Sequence, residues 1–211
     1  MDTFSGIPAA AIAFYAELEE NNNRPWWLEH KAVYDTAVRA PLEALFAEVE
    51  PEFGPAKIFR PNRDVRFSAD KSPYKTTQGA FAASHEGLGY YLQISADGLL
   101  VGGGYHSYSP AQLARYRAAV DAPASGAALA DIVAAVAGAG FGIEGETLKT
   151  VPRGFDKDHP RAELLKHKSL SASVLLGQPE WMDTPEAKDE IAALWVQLHP
   201  LVDWVAEHAA L

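Results

Sequence analysis

The sequence predicts an α+β fold: one domain over residues 1–211, with N-terminal helices, an antiparallel sheet around a central hairpin, and C-terminal helices. Two observations carry that expectation. Apolar residues recur at helical spacing up to about Val49, change to a period of two between Ile58 and Tyr105, and return to helical spacing after Ser109. Helices are therefore gathered on either side of a run of strands instead of alternating with single strands, which separates an α+β domain from a βαβ series. The 211 residues, 48% hydrophobic, are enough for a packed core, and no internal repeat or low-complexity tract interrupts them.

Taken in order, Ile7, Ala11, Phe14 and Leu18 line one face of a first helix, with Pro8 near its start, where a missing N–H is harmless. Asn21-Asn22-Asn23 stops it. A second helical pattern after Arg24-Pro25 carries Trp27, Tyr34, Val38, Leu42, Leu45 and Val49. Pro41 removes a hydrogen bond inside it and predicts a kink or a restart, and Pro51 with Gly54-Pro55 ends it. In the period-two region Val65 and Phe67 alternate with Asp64, Arg66 and Ser68, the pattern of a half-buried strand with one polar face. Arg60, Arg63 and Arg66 are spaced by three and would also suit a helix, but Pro61 and β-branched Val65 weigh against it. Tyr90, Leu92 and Ile94 alternate with Tyr91, Gln93 and Ser95, and Asp97-Gly98 before Leu99-Leu100-Val101 predicts a hairpin. Ser109-Pro110-Ala111-Gln112 is a capping box that opens a helix through Leu113, Tyr116 and Val120. A further helix over residues 125–139, a short strand over 141–144, a polar loop over 153–160 and a strand over 170–176 lead to a last helix, begun at Thr184-Pro185 and carrying Ile191, Leu194, Trp195, Leu198, Val202 and Val205.

Composition excludes several classes. No run of roughly eighteen apolar residues and no basic segment leading into an apolar one is present, so neither a membrane span nor a secretory signal is read, and the chain is expected to be soluble and cytoplasmic. With no cysteine, disulfides, thiolate zinc sites, iron–sulfur clusters and a cysteine nucleophile are excluded. The seven histidines form neither His-x-x-x-His nor His-Glu-x-x-His, so no metal site and no cofactor is predicted. A formal net charge of −10 argues against bulk binding to nucleic acid, which is carried by many phosphate contacts from a basic face.

Against that acidic background, Lys57 to Lys75 holds six basic residues, Lys57, Arg60, Arg63, Arg66, Lys71 and Lys75, and only two acids, Asp64 and Asp70. A cationic strip inside an acidic protein implies an anion to hold.

The same stretch carries a family resemblance. Phe4, the Asn21-Asn22-Asn23-Arg24-x-Trp26-Trp27 run, the segment Arg63-Asp64-Val65-Arg66-Phe67-Ser68-x-Asp70-Lys71-x-Pro73-Tyr74-Lys75-Thr76 and Gly102-Gly103-Gly104 together resemble the conserved-hypothetical family called domain of unknown function 2461. Pro152-Arg153-Gly154-Phe155-Asp156, His159-Pro160 and Leu164-Leu165 resemble its C-terminal part. Ser72 departs from the threonine expected there. The resemblance covers nearly the whole chain and draws attention to the basic motif, but it implies no mechanism.

The residues themselves support two readings of that motif. In the first, Arg63, Arg66, Lys71 and Lys75 converge on a phosphate or carboxylate, arginine being favoured because its planar fork meets two oxygens at once. In the second, Arg66 pairs with Asp64 and Lys71 with Asp70, and the strip ties a loop to an acidic body. Gly103 and Gly104 are read as a second wall where a ligand approaches backbone, although the triple glycine lacks the spacing of a P-loop or a dinucleotide fingerprint. Asn22, Asn23 and Trp27 read as helix caps and a buried indole, Tyr74 as a tyrosine packed in a proline turn, and the charged run from Arg153 to Arg161 as solvated surface. For catalysis the candidates are Asp64 or Asp70 as general base and Tyr74 or His106 as acid, with the arginines stabilising developing negative charge. The expected function is a cationic pocket for a small anionic ligand, phosphate- or carboxylate-bearing and nucleotide-like in one version. The alternative is an interaction module whose strip docks an acidic protein or a nucleic-acid end.

Overall fold

Pro8 sits at the N-cap of helix α1 (Ala9–Glu20), which buries Ala11, Ile12, Phe14, Tyr15 and Leu18. In this computed structural model, which describes residues 3–64, 66 and 69–210, the next helix begins where the asparagine run ends. The Asn23 side chain accepts a hydrogen bond from Trp26 N–H and caps α2 (Arg24–Val33). The expected disturbance near Pro41 takes a specific form. The helix widens into a π-helical turn, Tyr34–Arg39, in which Ala40 N–H reaches back to Asp35 O, and then continues as α3 (Ala40–Phe53). Proline has no N–H to return to the preceding turn, and the wider turn just ahead of it accommodates that gap. Pro51 is carried within the last turn of α3, and Gly54, at φ 87°, ends it.

One antiparallel sheet of six strands follows, in the order β1-β2-β3-β4-β6-β5. The strands are β1 (Ala56–Ile58), β2 (Thr77–His85), β3 (Leu88–Ser95), β4 (Gly98–Tyr105), β5 (Gly142–Glu144) and β6 (Leu170–Gly177). Strand β1 lies on β2 with Lys57 opposite Phe81, and β5 lies on β6 with Ile143 opposite Ala172. The β3–β4 hairpin forms as expected, but its turn is Ala96-Asp97, one residue earlier than Asp97-Gly98. Gly98, at φ 108°, already belongs to β4. Gly98 is required there, since a Cβ would stand 2.0 Å from Gly177 O. Of the strand expected around Asp64 to Ser68, residues Val65, Phe67 and Ser68 lie outside the described residues, while Asp64 and Arg66 are not in a strand.

The remaining helices are α4 (Pro110–Asp121), α5 (Pro123–Gly138), α6 (Ala162–Lys166) and α7 (Ala187–Val205), which runs on into a π-helical turn, Ala206–Ala210. The capping box of α4 is formed on both sides, by Ser109 and by Gln112. Among the described residues no single helix is long and apolar enough to cross a membrane; α4 and α5 reach that length only as a pair bent by 94°.

The chain packs as two compact units. The first comprises residues 1–82, 91–101 and 175–193, and the second residues 83–90, 102–174 and 194–211. In the first, α1, α2 and the π turn close on an aromatic core of Phe14, Tyr15, Trp27 and Tyr34. Tyr34 donates from its hydroxyl to buried Gln78 of β2 (2.8 Å). In the second, Tyr105, Tyr108 and Tyr116 stack in series and end edge-on against Trp204 of α7. Arg161 caps the end of α4 by donating to the carbonyls of Val120 (2.7 Å) and Asp121 (2.9 Å).

Candidate functional site

The basic stretch is an excursion between β1 and β2, closed at its neck by backbone pairing. Asn62 and Tyr74 form an antiparallel bridge, Arg63 N–H donates to Pro73 O (2.9 Å) and Lys75 N–H to Pro61 O (2.8 Å). The neck is held from α2's approach. The Asn22 amide donates to Tyr74 O (2.9 Å) and accepts from Tyr74 N–H (3.1 Å), so one side chain satisfies both backbone groups of a buried residue. Trp27 then stacks on the Tyr74 ring at 4.1 Å and 10°. The asparagine run and the indole are therefore the docking point of the cationic loop. Tyr74 is the packed tyrosine of the turn, 7% exposed.

Both acids of the stretch are engaged by arginines. Asp70 pairs with Arg63, not with Lys71, and also accepts from Ser72 N–H (2.9 Å). Asp64 takes Arg66 in a two-pronged pair, with Nη2 at 2.6 Å and Nε at 3.0 Å. The Arg66 side chain is 76% exposed, whereas that of Arg63 is 27% exposed. The inward Nε–H of Arg63 has no hydrogen-bond partner in the described chain. Hydrogen bonds from the Arg66 side chain and backbone hold the Asp64 carboxyl below its ordinary value. Those from Ser72, with the Arg63 charge, do the same for Asp70. Asp64 in turn raises the Arg66 guanidinium. Lys57, Arg60 and Lys75 form no ion pair among the described residues. The Lys75 ammonium stands 5.6 Å over the Phe59 ring.

The loop opens onto the sheet of the first unit, and here the sequence reading missed residues. Buried Gln78 donates to Phe59 O (2.7 Å) and Gly79 O (2.9 Å), tying the outgoing and returning chains together. Gly79 provides clearance: a Cβ there would stand 2.5 Å from Tyr91 Oη and 3.1 Å from the Phe59 ring, so both rings lie over its bare backbone. Tyr91 donates to Gln93 Oε1 (2.9 Å). Burial raises the Tyr91 phenol above its ordinary value. In sequence Phe59 and Gly79 carry no distinguishing mark, and only the alternation of Tyr91 and Gln93 with apolar neighbours pointed to a more polar face.

Three other expected site residues, Gly103, Gly104 and His106, belong to the second unit. His106 is exposed and donates its backbone N–H to Gly87 O (3.1 Å). Gly103 and Gly104 are buried inside β4. A Cβ on Gly103 would meet Gly89 O at 3.2 Å, and one on Gly104 would meet Leu170 O at 2.5 Å, so protein backbone takes up the space that the bare glycines leave. Lys71 is exposed on the loop. Two cavities, of about 630 and 540 Å³, lie along α3 and along α5, and no basic residue of the loop lines either. No three His, Asp or Glu side chains come together as a metal site among the described residues.

No curated protein and no solved structure matches the chain. A family profile does match, over residues 10–204. That span includes the Asn22 clamp, the cationic loop, the glycine run of β4 and most of α7, and on it the chain belongs to the conserved hypothetical protein family DUF2461.

Proposed function

We propose that the protein binds a small anionic ligand, phosphate- or carboxylate-bearing, at the loop between β1 and β2, and does so in the cytoplasm, where such esters are abundant. One electrostatic observation carries the reading. Asp64 and Asp70 are already engaged by arginines, yet Lys57, Arg60 and Lys75 form no ion pair among the described residues of a chain of net charge −10. The inward Nε–H of Arg63 adds a donor of the kind an oxyanion accepts. The reading is of binding, not turnover. The two carboxyls are held in their ionised form by hydrogen bonds and have little affinity for a proton at neutral pH, which makes both poor general bases.

A second reading, an interaction surface for an acidic protein or a nucleic-acid end, draws on the 76% exposure of the Arg66 side chain.

Urea unfolding in pyrophosphate against sodium chloride of equal ionic strength tests the first. Pyrophosphate is expected to stabilise the protein in proportion to its occupancy, by about 2.7 kcal/mol at a hundredfold excess over Kd. The Lys57→Ala/Lys75→Ala variant is expected to lose that gain and keep its baseline. A wild type that melts identically in both salts overturns the reading. Retention of that protein on a polyanionic matrix, lost on Arg66→Ala, would favour the second.

A further inference from the structure

The face of the sheet beside the loop is built unlike its reverse. In the first unit Gln78, Ala80 and Ala82 of β2, Leu92 and Ile94 of β3, and Leu99 and Val101 of β4 are all buried. The alternate positions are not: Phe81, Tyr91, Gln93 and Leu100 are half-buried, as is Phe59 just beyond β1, and Lys57 is exposed. The shared face follows from contacts. A Cβ on Gly79 would point at Tyr91 and Phe59, Phe81 lies two residues along the same strand, and Lys57 is its cross-strand partner. Because Gly79 has no side chain, the Tyr91 and Phe59 rings lie close to the sheet, with centroids 6.4 Å apart and planes 33° from each other. They make an aromatic floor.

Polar groups border that floor asymmetrically. Lys75 stands over Phe59 and Lys57 stands across from Phe81, neither in an ion pair among the described residues. With Tyr91 donating to Gln93 Oε1, the two N–H donors of the Gln93 amide have no protein partner among the described residues. Half-exposed rings suit a flat π-system, unpaired lysines suit an anion, and a free amide suits a heteroaromatic edge.

We infer that the ligand is a nucleoside phosphate, its base stacked on Phe59 and Tyr91 within reach of Gln93, and its phosphates held by Lys57 and Lys75. This rests on the anion-binding reading above and names the class of anion. Charge selects a mononucleotide over a single strand of nucleic acid. A strand needs a track of cations along its backbone, and this face has two lysines in a protein of net charge −10.

Calorimetric titration of the full chain with ADP and with pyrophosphate separates the two claims. ADP is expected to bind about tenfold or more tightly than pyrophosphate, the contribution of one stacked base. Tyr91→Leu should bring ADP down to the pyrophosphate level and leave pyrophosphate unchanged, Phe59→Leu should likewise remove the advantage of ADP, and Lys57→Ala/Lys75→Ala should weaken both. Should either ring variant fold poorly, amide shift mapping of wild type supplies the same test. Shifts caused by ADP but not by pyrophosphate must fall on Phe59, Gly79, Tyr91 and Gln93. Equal affinity for the two ligands overturns the nucleotide assignment while the anion site stands. A wild type that binds neither ligand overturns the anion site as well. Affinity for oligouridylate that climbs with its length overturns the mononucleotide in favour of a strand.

Discussion

Asn22 has consequences out of proportion to its size. Its amide both donates to and accepts from the backbone of Tyr74, a residue 7% exposed. Asn22→Ala leaves a part-buried N–H and C=O without partners and is expected to cost about 1–3 kcal/mol. Asn22→Asp keeps the acceptor and loses the donor, so it should fall between. Urea midpoints of the three proteins check the order, and an alanine variant as stable as wild type would show that water replaces the amide. The sequence marked Trp27 as a buried indole and Asn22 and Asn23 as caps at a helix end. Trp27 is buried and Asn23 does cap, though at the start of α2, since both roles depend on neighbours within a turn or on bulk hydrophobicity. The grip of Asn22 was not legible, since nothing local distinguishes it from the asparagines on either side. Arg66 shows the converse: its pairing with Asp64, two residues away, was one of the two readings the sequence offered. Asp70, which that same reading set beside Lys71, pairs with Arg63 across the fold of the loop, next to the neck pairing of Asn62 with Tyr74.

Whole elements were more legible than their irregularities. Helices α1 to α5, the β3–β4 hairpin and the last helix follow from periodicity and caps, which act over one or two turns. The π-helical turn at Tyr34–Arg39 did not, because a one-residue widening leaves the apolar pattern almost unchanged. The hairpin turn was misplaced by one residue because Gly98 is needed for clearance from Gly177 and not as a turn residue. The floor of Phe59, Gly79 and Tyr91 escaped notice for a related reason. It is assembled from three places in the chain, and no window holds it. The π turn sets Tyr34 against Gln78, and Gln78 in turn holds the carbonyls of Phe59 and Gly79. Tyr34→Phe strands the buried Gln78 oxygen and is expected to cost about 1–3 kcal/mol. The amide bonds to Phe59 and Gly79 should remain, so hydrogen exchange at the Phe59 amide, which bonds to Gly79 O, should change less than global stability does. If Phe59 exchanges freely in that variant, β1 depends on the tyrosine directly.

For the molecule as a whole, pH should act in two stages. Burial lowers the pKa of His167 below its ordinary 6.5, opposed by its contact with Ser169 O and the charge of Glu163. The unfolded chain therefore takes up a proton near pH 6.5 that the folded chain refuses. Stability is full above that pH and declines as pH falls through it toward the lower folded value. The carboxyls of Glu48, Asp64, Asp70 and Glu186 are also held below their ordinary values, so their contribution is lost only at more acid pH. Urea midpoints between pH 7.5 and 5.5 should fall for wild type and flatten in His167→Asn. Equal slopes would assign the decline elsewhere.

The span between Asn22 and Tyr74, 52 residues of chain, bears on the order in which the protein takes shape. Helices and tight hairpins form from near neighbours in microseconds, whereas a contact across such a span must wait for a large loop to close against its entropy. The cationic loop is seated by that late contact. The chain therefore acquires helices and hairpin before its loop is seated, and a nascent or partly refolded molecule carries the positive charges of that loop on an undocked tether. A seated loop belongs to the finished fold, a tethered one to its precursor.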